Sequence, residues 1–388
     1  MFPSRFVHLA SARARFGDRV DRLGEHLSRV DPIADAVVAS VDALPAGSGW
    51  RMFDRATREG IASVPEAPES FRALFDQAER VPAWVDWETL DRGGQVPLRA
   101  GILAAAVLSL RSLVLGYTSP AGNKPLAMSG ALTERAPRRL HETARFVQAT
   151  IKPGGLRPGA DGYCITLKVR LMHARVRKML LESGRWNAAE WGAPLNQHDH
   201  AGTSMLFSVT LLDGLRILGM HVPPEDAEAY MQLWRYSGHL MGIDPEIQPT
   251  TEREARRLQE LILATQGEPD EDSRHLTRAL LRATFQRARR GPGSTGDAEP
   301  ATFNAALCRT LIGDEIADKL DVPRTAWRFA VPLVRGLVSA ADRVRARVPF
   351  TEGPVLRAGT RYWDRTIAAA LAGRGVDFGL PSRLGNAA

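Results

Sequence analysis

A single histidine lies in the middle of a helical pattern, VRLMHARVR at 169–177. On a helical period, His173 shares a face with Val169, Arg170, Val176 and Arg177. A neutral imidazole beside apolar side chains can bind a metal, and nearby guanidinium groups can pair with carboxylates. This combination suits haem, with His173 as the axial iron ligand and Arg170 and Arg177 as partners of the propionates. The alternative is a hydrogen-bonded core histidine flanked by surface arginines.

A second group of histidines lies in QHDHAGT at 197–203. His198 and His200, with an aspartate between them, could bind non-haem iron if a third ligand came from elsewhere in the chain. The alternative is that Asp199 caps a helix beginning near Ala201, where acidic residues are favoured. The pattern favours capping and leaves the metal site open. We expect His198, and His239 further along, to be structural.

An arginine and a hydroxyl share one helix face in RRLHETARF at 138–146. Arg139 and Thr143 are four residues apart, so both could line one pocket and polarise bound dioxygen. Without support from the rest of the chain, the segment would be an ordinary helix.

The elements that must position these residues are helical almost throughout. The patterns predict an amphipathic helix at 69–80 and a core helix at 99–116. Further helices are predicted at 133–151, 162–183, 200–219 and 224–241, and several more follow up to residue 373. The sequence therefore predicts an all-α fold, with a helical extension over 1–80, a catalytic domain over 81–330 and C-terminal helices over 331–388 packed on the core.

Composition excludes several classes of protein. The 388 residues carry a net charge of +7, but the arginines are interspersed with acids, which argues against nucleic-acid binding. Two cysteines far apart exclude a cysteine zinc site, an iron–sulfur cluster and covalent haem attachment. The chain has no GxGxxG after a strand, no Walker loop, no GxSxG and no complete HExxH, so common nucleotide-binding, serine-hydrolase and zinc-peptidase motifs are absent.

The apolar stretches are short. GILAAAVLSL at 101–110 is too short to span a bilayer, and we interpret it as a buried helix with no transmembrane segment. The first twenty residues, MFPSRFVHLASARARFGDRV, have no apolar core typical of a secretory signal, so we expect a cytoplasmic protein.

Taken together, several segments resemble one family. They are VPAWVDW at 81–87, ITLKVRLMHARVRKMLLE at 165–182, GRWNAAEWGAPLNQHDHAGTSMLFSVTLLDGLRILG at 184–219 and AYMQLWRYSGHLMGI at 229–243. In this order they resemble the rubber oxygenase (latex-clearing protein) and MpaB-type oxygenase family, over residues 70–330.

The resemblance implies an all-α, globin-like core holding non-covalent haem b, with dioxygen as co-substrate and cleavage of isoprenoid C=C bonds as the family reaction. It assigns the axial ligand to His173 and the distal arginine and threonine to Arg139 and Thr143. Two positions depart from the family pattern. Asn123 lies near the place of a distal glutamate base, and Glu142 replaces a lysine that can cap the iron. We expect Glu142 to point away from Arg139 and Thr143.

The resulting expectation is a haem-dependent oxygenase, a dioxygenase by resemblance, that acts on a hydrophobic, unsaturated small molecule such as an isoprenoid or lipid. Three alternatives remain open at this stage: a haem-binding sensor or carrier without turnover, a non-haem iron oxygenase that uses His198 and His200, and a helical scaffold that has lost its cofactor.

Overall fold

The computed structural model describes residues 1–128, 136–288 and 303–371, and these ranges contain helices but no strand. This confirms the predicted all-α class, while the globin-like arrangement of the core stays a prediction. The helices before the predicted catalytic domain are α1 Leu9–Phe16, α2 Arg19–Glu25, α3 Pro32–Ala43, α4 Ser48–Glu59 and α5 Glu69–Glu79.

The central helices follow. They are α6 Trp87–Ala100, α7 Ile102–Val107, α8 Leu113–Gly116, α9 Pro120–Met128, α10 Ala136–Ile151, α11 Asp161–Glu182, α12 Ala188–Trp191, α13 Gln197–Phe207, α14 Val209–Ile217 and α15 Pro224–Leu240. The last helices are α16 Glu252–Ala264, α17 Glu271–Ala288, α18 Phe303–Ile312, α19 Asp314–Lys319, α20 Val331–Arg347 and α21 Glu352–Leu371. Short 3-10 turns lie at Ile61–Ser63, Ala326–Phe329 and Pro349–Thr351, and a π turn joins α7 to α8 at Leu108–Ser112.

Two predicted helices are each divided in the structure. The predicted helix at 99–116 was wrong as one element, because Gly101 adopts φ 51° and the chain turns by 87° between α6 and the segment 102–116. Positive φ is readily accessible to glycine. The predicted helix at 200–219 breaks at Ser208, whose hydroxyl donates to the carbonyl of Ser204 at 2.8 Å. Hydroxyl bonds of this type are often found where helices bend.

Helix α11 lies at the centre of the fold. It is 22 residues long and contacts α3, α4, α10 and α15, so apolar side chains around most of its circumference are buried. Its predicted bounds, 162–183, are confirmed within one residue at each end. Because a helix buried on several sides has no free face, even its arginines need partners inside the protein. The candidate residue His173 therefore lies deep in the molecule.

Helices α6 and α15 cross at very short range. A Cβ on Gly93 would lie 2.4 Å from the carbonyl oxygen of Ala229, and a Cβ on Gly94 would lie 2.2 Å from that of Ile151. Only glycine permits this approach, so the pair Gly93–Gly94 fixes α6 against α15 and the end of α10. Helix α6 therefore holds two helices that carry candidate residues: α10, with Arg139 and Thr143, and α15, with His239.

The N-terminal helices contribute to the main hydrophobic core. A single buried cluster contains Val37 of α3 and Phe71 of α5, together with Leu171 of α11 and Trp363 of α21. The predicted extension over 1–80 and the C-terminal helices over 331–388 thus share core residues with the central helices. The division of the chain at 80 and 330 stays a prediction.

No single helix of the described ranges is long and apolar enough to cross a membrane. Helix α6 and the segment Ile102–Gly116 are together long and apolar enough, but the chain bends by 87° between them.

Candidate active site

A cavity of about 420 Å³ lies between α8, α9, α10, α11, α13, α15, α16 and α17. This volume is in the range of small-molecule and cofactor sites, roughly 300–1,000 Å³. Its walls are mostly apolar and include Phe146, Phe207 and Trp234, whose rings pack on one another. Among the polar side chains in the wall are Thr143 and His173, two of the residues predicted from the sequence.

His173 reaches the cavity from the middle of α11. Its Nδ1 atom is inaccessible to solvent and has no hydrogen-bond partner among the described residues. Burial, with the nearby His200 and Arg177, lowers the pKa of His173 well below its usual value. The imidazole is therefore neutral at pH 7, which is the form that binds a metal ion. Other side chains of the described ranges, His239 among them, also have a buried polar atom without a partner, but of these two histidines only His173 lines the cavity.

The structure brings His200 against His173. Their ring centroids are 4.9 Å apart, with the planes inclined at 40°, and both line the cavity. Burial and the charge of Arg177 lower the pKa of His200 to about 4. The sequence placed these histidines in separate candidate sites, since 26 intervening positions hide their proximity.

Asp199 does not cap its helix as the capping interpretation expected. Helix α13 begins at Gln197, and its cap is Asn196, whose side chain accepts from the backbone N–H of Asp199 at 2.9 Å. Asp199 instead forms an ion pair with Arg5, whose two terminal nitrogens reach the two carboxylate oxygens at 2.8 and 2.9 Å. Burial alone would raise the pKa of Asp199, but the Arg5 charge outweighs it and holds that pKa well below its usual range.

Arg5 is a site residue that sequence reasoning missed. It lies 194 positions before Asp199 and also donates to Ser119 Oγ at 3.3 Å. Asp199 and Ser119 both line the cavity, so the extreme N-terminus supports one wall of it. No local spacing could have indicated this contact, because it depends on how the N-terminal segment returns to α13.

His198 and His200 gain no third ligand in the described ranges. His198 Nδ1 lies 3.3 Å from Asp199 Oδ1, a carboxylate already paired with Arg5. Within those ranges, only His26, Asp244 and Glu246 form a group of three side chains placed to share a metal ion, and none of them lines the cavity. Arg29 donates to Glu246 at 2.7 Å and to Asp244 at 3.3 Å, so that group already holds a cation.

The comparisons with known proteins agree with this geometry. A family model described as "ER-bound oxygenase mpaB/B'/Rubber oxygenase, catalytic domain" matches residues 99–343. The chain belongs to this oxygenase family. A rubber oxygenase from Streptomyces sp. (strain K30) is 26% identical over 326 residues, which are 79% of this chain and 76% of that protein.

A solved structure with a similar fold is that of Latex Clearing Protein LCP in the closed state. It aligns with a TM-score of 0.66 at 23% identity and covers 85% of this chain and 88% of that chain. At this identity the likeness is one of fold. Membership of the family supports an oxidoreductase of the oxygenase class.

The two arginines beside His173 have protein partners. Arg170 is buried and donates to both oxygens of Asp31, at 2.6 and 3.1 Å. Arg177 is also buried and pairs with Asp35 at 2.8 Å. The carboxylates that these two arginines bind are therefore those of Asp31, at the N-cap of α3, and Asp35, in its first turn. Neither arginine lines the cavity, so the predicted contact with cofactor propionates finds no support in their described contacts.

The predicted distal residues lie on α10. Thr143 and Glu142 both line the cavity, while the expected difference in direction between Glu142 and Thr143 stays a prediction. Adjacent positions on a helix can flank a broad cavity when the helix runs along its wall rather than end-on. Arg139 belongs to the first turn of α10, but its side chain lies outside the described part of the structure.

Asn123 occupies the cavity wall on α9 with its amide already engaged. Its Nδ2 donates to the carbonyl of Tyr117 at 2.7 Å and to Ser273 Oγ at 3.2 Å. The second bond joins α9 to the first turn of α17, and the first joins α9 to the end of α8. An amide is not a general base, and one held in this way supports the wall. The acid next to Thr143 in the chain is Glu142. His239 is not among the cavity residues and stacks on Tyr236 with a centroid distance of 5.9 Å.

Proposed function

We propose that this protein is a haem b-dependent oxygenase that uses dioxygen to cleave a C=C bond of a hydrophobic, isoprenoid or lipid-like small molecule. The observation that carries the proposal is His173, a neutral imidazole in the wall of an apolar cavity, whose Nδ1 is shielded from solvent and has no hydrogen-bond partner among the described residues. The chain belongs to an oxygenase family, which supports the interpretation of this imidazole as a cofactor ligand.

The types of side chain in the described cavity wall suit a haem group. His173 offers a neutral nitrogen ligand, and the aromatic side chains of Phe146, Phe207 and Trp234 offer an apolar surface for a flat macrocycle. Neither cysteine belongs to a CxxCH motif, so we propose that the haem is bound non-covalently. When bound, haem would supply the oxidising chemistry, while the protein supplies orientation and electrostatics.

The side chains of α10 complete the proposed site. The hydroxyl of Thr143 is a hydrogen-bond donor in the cavity wall, where it would orient an oxygen atom of the co-substrate. Arg139 takes the corresponding role by resemblance and remains a prediction. We propose Glu142, in the same wall, as the base, because a carboxylate can accept a proton at an Oε atom. The apolar walls exclude water, which strengthens each of these interactions.

The substrate follows from the cavity walls and the relatives. A site lined mostly by apolar side chains favours a hydrophobic ligand, and the name of the related Streptomyces protein refers to rubber. We propose an unsaturated hydrocarbon chain that threads the cavity beside α10.

The deciding experiment is an absorption spectrum of the purified protein, oxidised and dithionite-reduced, with a pyridine haemochrome assay. We expect a Soret band near ~400 nm and one haem b per chain. Oxygen consumption with unsaturated lipids then separates an oxygenase from a haem sensor or carrier, which would show the band without turnover. A chain without haem after expression with a haem precursor would overturn the proposal, and stoichiometric iron in a nearly colourless protein would point instead to His198 and His200.

A further inference from the structure

An apolar stripe faces outward on α20. Large apolar side chains in the segment 327–350 are between 53% and 82% exposed. They are Trp327, Phe329, Leu333, Leu337, Val344 and Phe350. Eight large apolar residues of the described chain lie in this range of exposure, and six of them fall in this short segment. Concentrated exposure of this kind marks an interaction surface, whereas scattered apolar residues need no explanation.

The orientation of α20 is fixed by polar contacts on its opposite side. Ser339 Oγ donates to the carbonyl of Gly219 at 2.9 Å, and Asp342 Oδ2 accepts from the N–H of His221 at 2.7 Å. Only Val331 and Asp342 of this helix are buried. The packing face thus combines valines with polar contacts, and large apolar side chains also lie on the outward face, where an ordinary surface helix is polar. Rolling the helix to bury Leu333 and Leu337 would break both hydrogen bonds.

The residues around this stripe are strongly basic. Residues 324–350 contain six arginines and a single acid, Asp342. Four of these arginines are exposed and form no ion pair with a described carboxylate, namely Arg328, Arg335, Arg343 and Arg347. Arg347 lies three positions beyond Val344 of the stripe, and Arg343 lies one helical turn before Arg347 on the same side. Apolar side chains flanked by arginines are the pattern of helices that lie in the surface of an anionic membrane.

We infer that the face formed by Trp327, Phe329, α20 and Phe350 docks this protein onto a lipid surface bearing anionic headgroups. The leucine and aromatic side chains enter the interfacial region, and the arginines extend to lipid phosphates. The positive charge of this face favours anionic lipid as the partner, because a partner protein with an apolar surface would not require the excess of arginines. The inference does not depend on haem, since neither the face nor its contacts include the cavity.

The test is a vesicle flotation assay with the full-length protein. We expect it to float with vesicles of phosphatidylcholine and phosphatidylglycerol and to bind vesicles of phosphatidylcholine alone at least about tenfold more weakly. Adding salt should weaken binding to the anionic vesicles, because exposed charges are screened.

Two pairs of variants separate the apolar and charged contributions. Leu333→Ser with Leu337→Ser should reduce binding by about tenfold or more, since both side chains leave the lipid. Arg343→Gln with Arg347→Gln should do the same and remove much of the preference for anionic lipid. Their matched controls are Val81→Ser with Leu181→Ser and Arg185→Gln with Arg253→Gln, which change exposed residues elsewhere and should leave binding unchanged. Far-ultraviolet circular dichroism and thermal unfolding show that each variant is folded.

Three results would overturn the inference. One is a wild-type protein that does not float with anionic vesicles, or that floats equally well in the α20 variants. Another is a dimer in light scattering that Leu333→Ser with Leu337→Ser dissociates while vesicle binding is absent, which would make the face a contact between two copies. The third is vesicle binding that appears only when residues 372–388 are deleted, which would make that segment the natural cover of the face.

Discussion

The imidazole rings of His173 and His200 lie 4.9 Å apart between centroids, although they belong to different helices, α11 and α13. Two imidazolium ions so close together inside a protein would repel strongly. Burial already disfavours the charged form of both rings, and each pKa is lowered. The pair is therefore neutral at pH 7, which leaves His173 ready to bind a metal and makes the site sensitive to acid.

Acid should destabilise the protein through His200. Its pKa is about 4 in the folded chain and 6.5 in its ordinary state, so the unfolded chain takes up the proton first as the pH falls. The stabilisation is present above about pH 6.5 and is lost progressively down to about pH 4, by about 3 kcal/mol in total. Urea unfolding of the cofactor-free protein across this range measures the loss.

The variant His200→Gln isolates this titration from those of the other histidines. The stability difference between wild type and variant should shrink by about 3 kcal/mol from neutral pH to about pH 4. His275→Gln, at an exposed position on α17, is the surface control. Parallel stability curves for wild type and His200→Gln would mean that His200 keeps its ordinary pKa in the folded protein.

Replacing the proposed axial ligand tests the cofactor. His173→Ala should weaken haem binding by more than the roughly 10–100-fold that follows loss of a residue that merely orients a metal ligand. Added imidazole should restore a Soret band by entering the space that the side chain vacates, a rescue that a purely structural histidine would not show. The surface variant His275→Ala should retain full haem content. A full Soret band in His173→Ala without added imidazole would remove His173 from the site.

Local patterns were sufficient for the helices and for the central candidate. The helical period predicted α5 and α11 closely, and the VRLMHARVR pattern selected His173, which the structure places in the cavity wall. The same reasoning failed where one residue changes the chain direction within an apolar run. Gly101 and Ser208 each interrupt such a run, and hydrophobic periodicity continues across both because both sides of the break are buried.

Breaking the ion pair between Arg170 and Asp31 should cost stability rather than cofactor affinity. Arg170→Met leaves a buried carboxylate without its partner, so the free energy of unfolding should fall by about 3–5 kcal/mol. The double variant Arg170→Met with Asp31→Asn should recover a substantial part, since no unpaired charge remains. Urea unfolding of the four proteins in the cycle provides the coupling energy. If the arginine instead held a haem propionate, Arg170→Met would lose haem with little change in cofactor-free stability, and Asp31→Asn would not restore it.

Contacts between distant segments account for what the sequence could not predict. The pairing of Arg5 with Asp199 and of Arg170 with Asp31 joins positions far apart in the chain, and a single sequence carries no signal for such pairs. The arginines near His173 were recognised as carboxylate partners by type, but the identity of the carboxylates depends on how α3 packs on α11. The orientation of Glu142 likewise depends on the line that α10 takes along the cavity.

Glu142 is the acid whose loss should affect catalysis without affecting cofactor binding. It lines the cavity next to Thr143, whereas Asn123, near the position of the family's distal glutamate, has its amide committed to Tyr117 and Ser273. Loss of a general base costs about 10²–10⁴-fold in rate, so Glu142→Gln should lower oxygen consumption on an accepted substrate by that factor while the Soret band is retained. Glu182→Gln, an exposed change at the end of α11, should keep wild-type turnover. Unchanged turnover in Glu142→Gln would exclude this carboxylate as the base, and loss of the Soret band would assign it to haem binding instead.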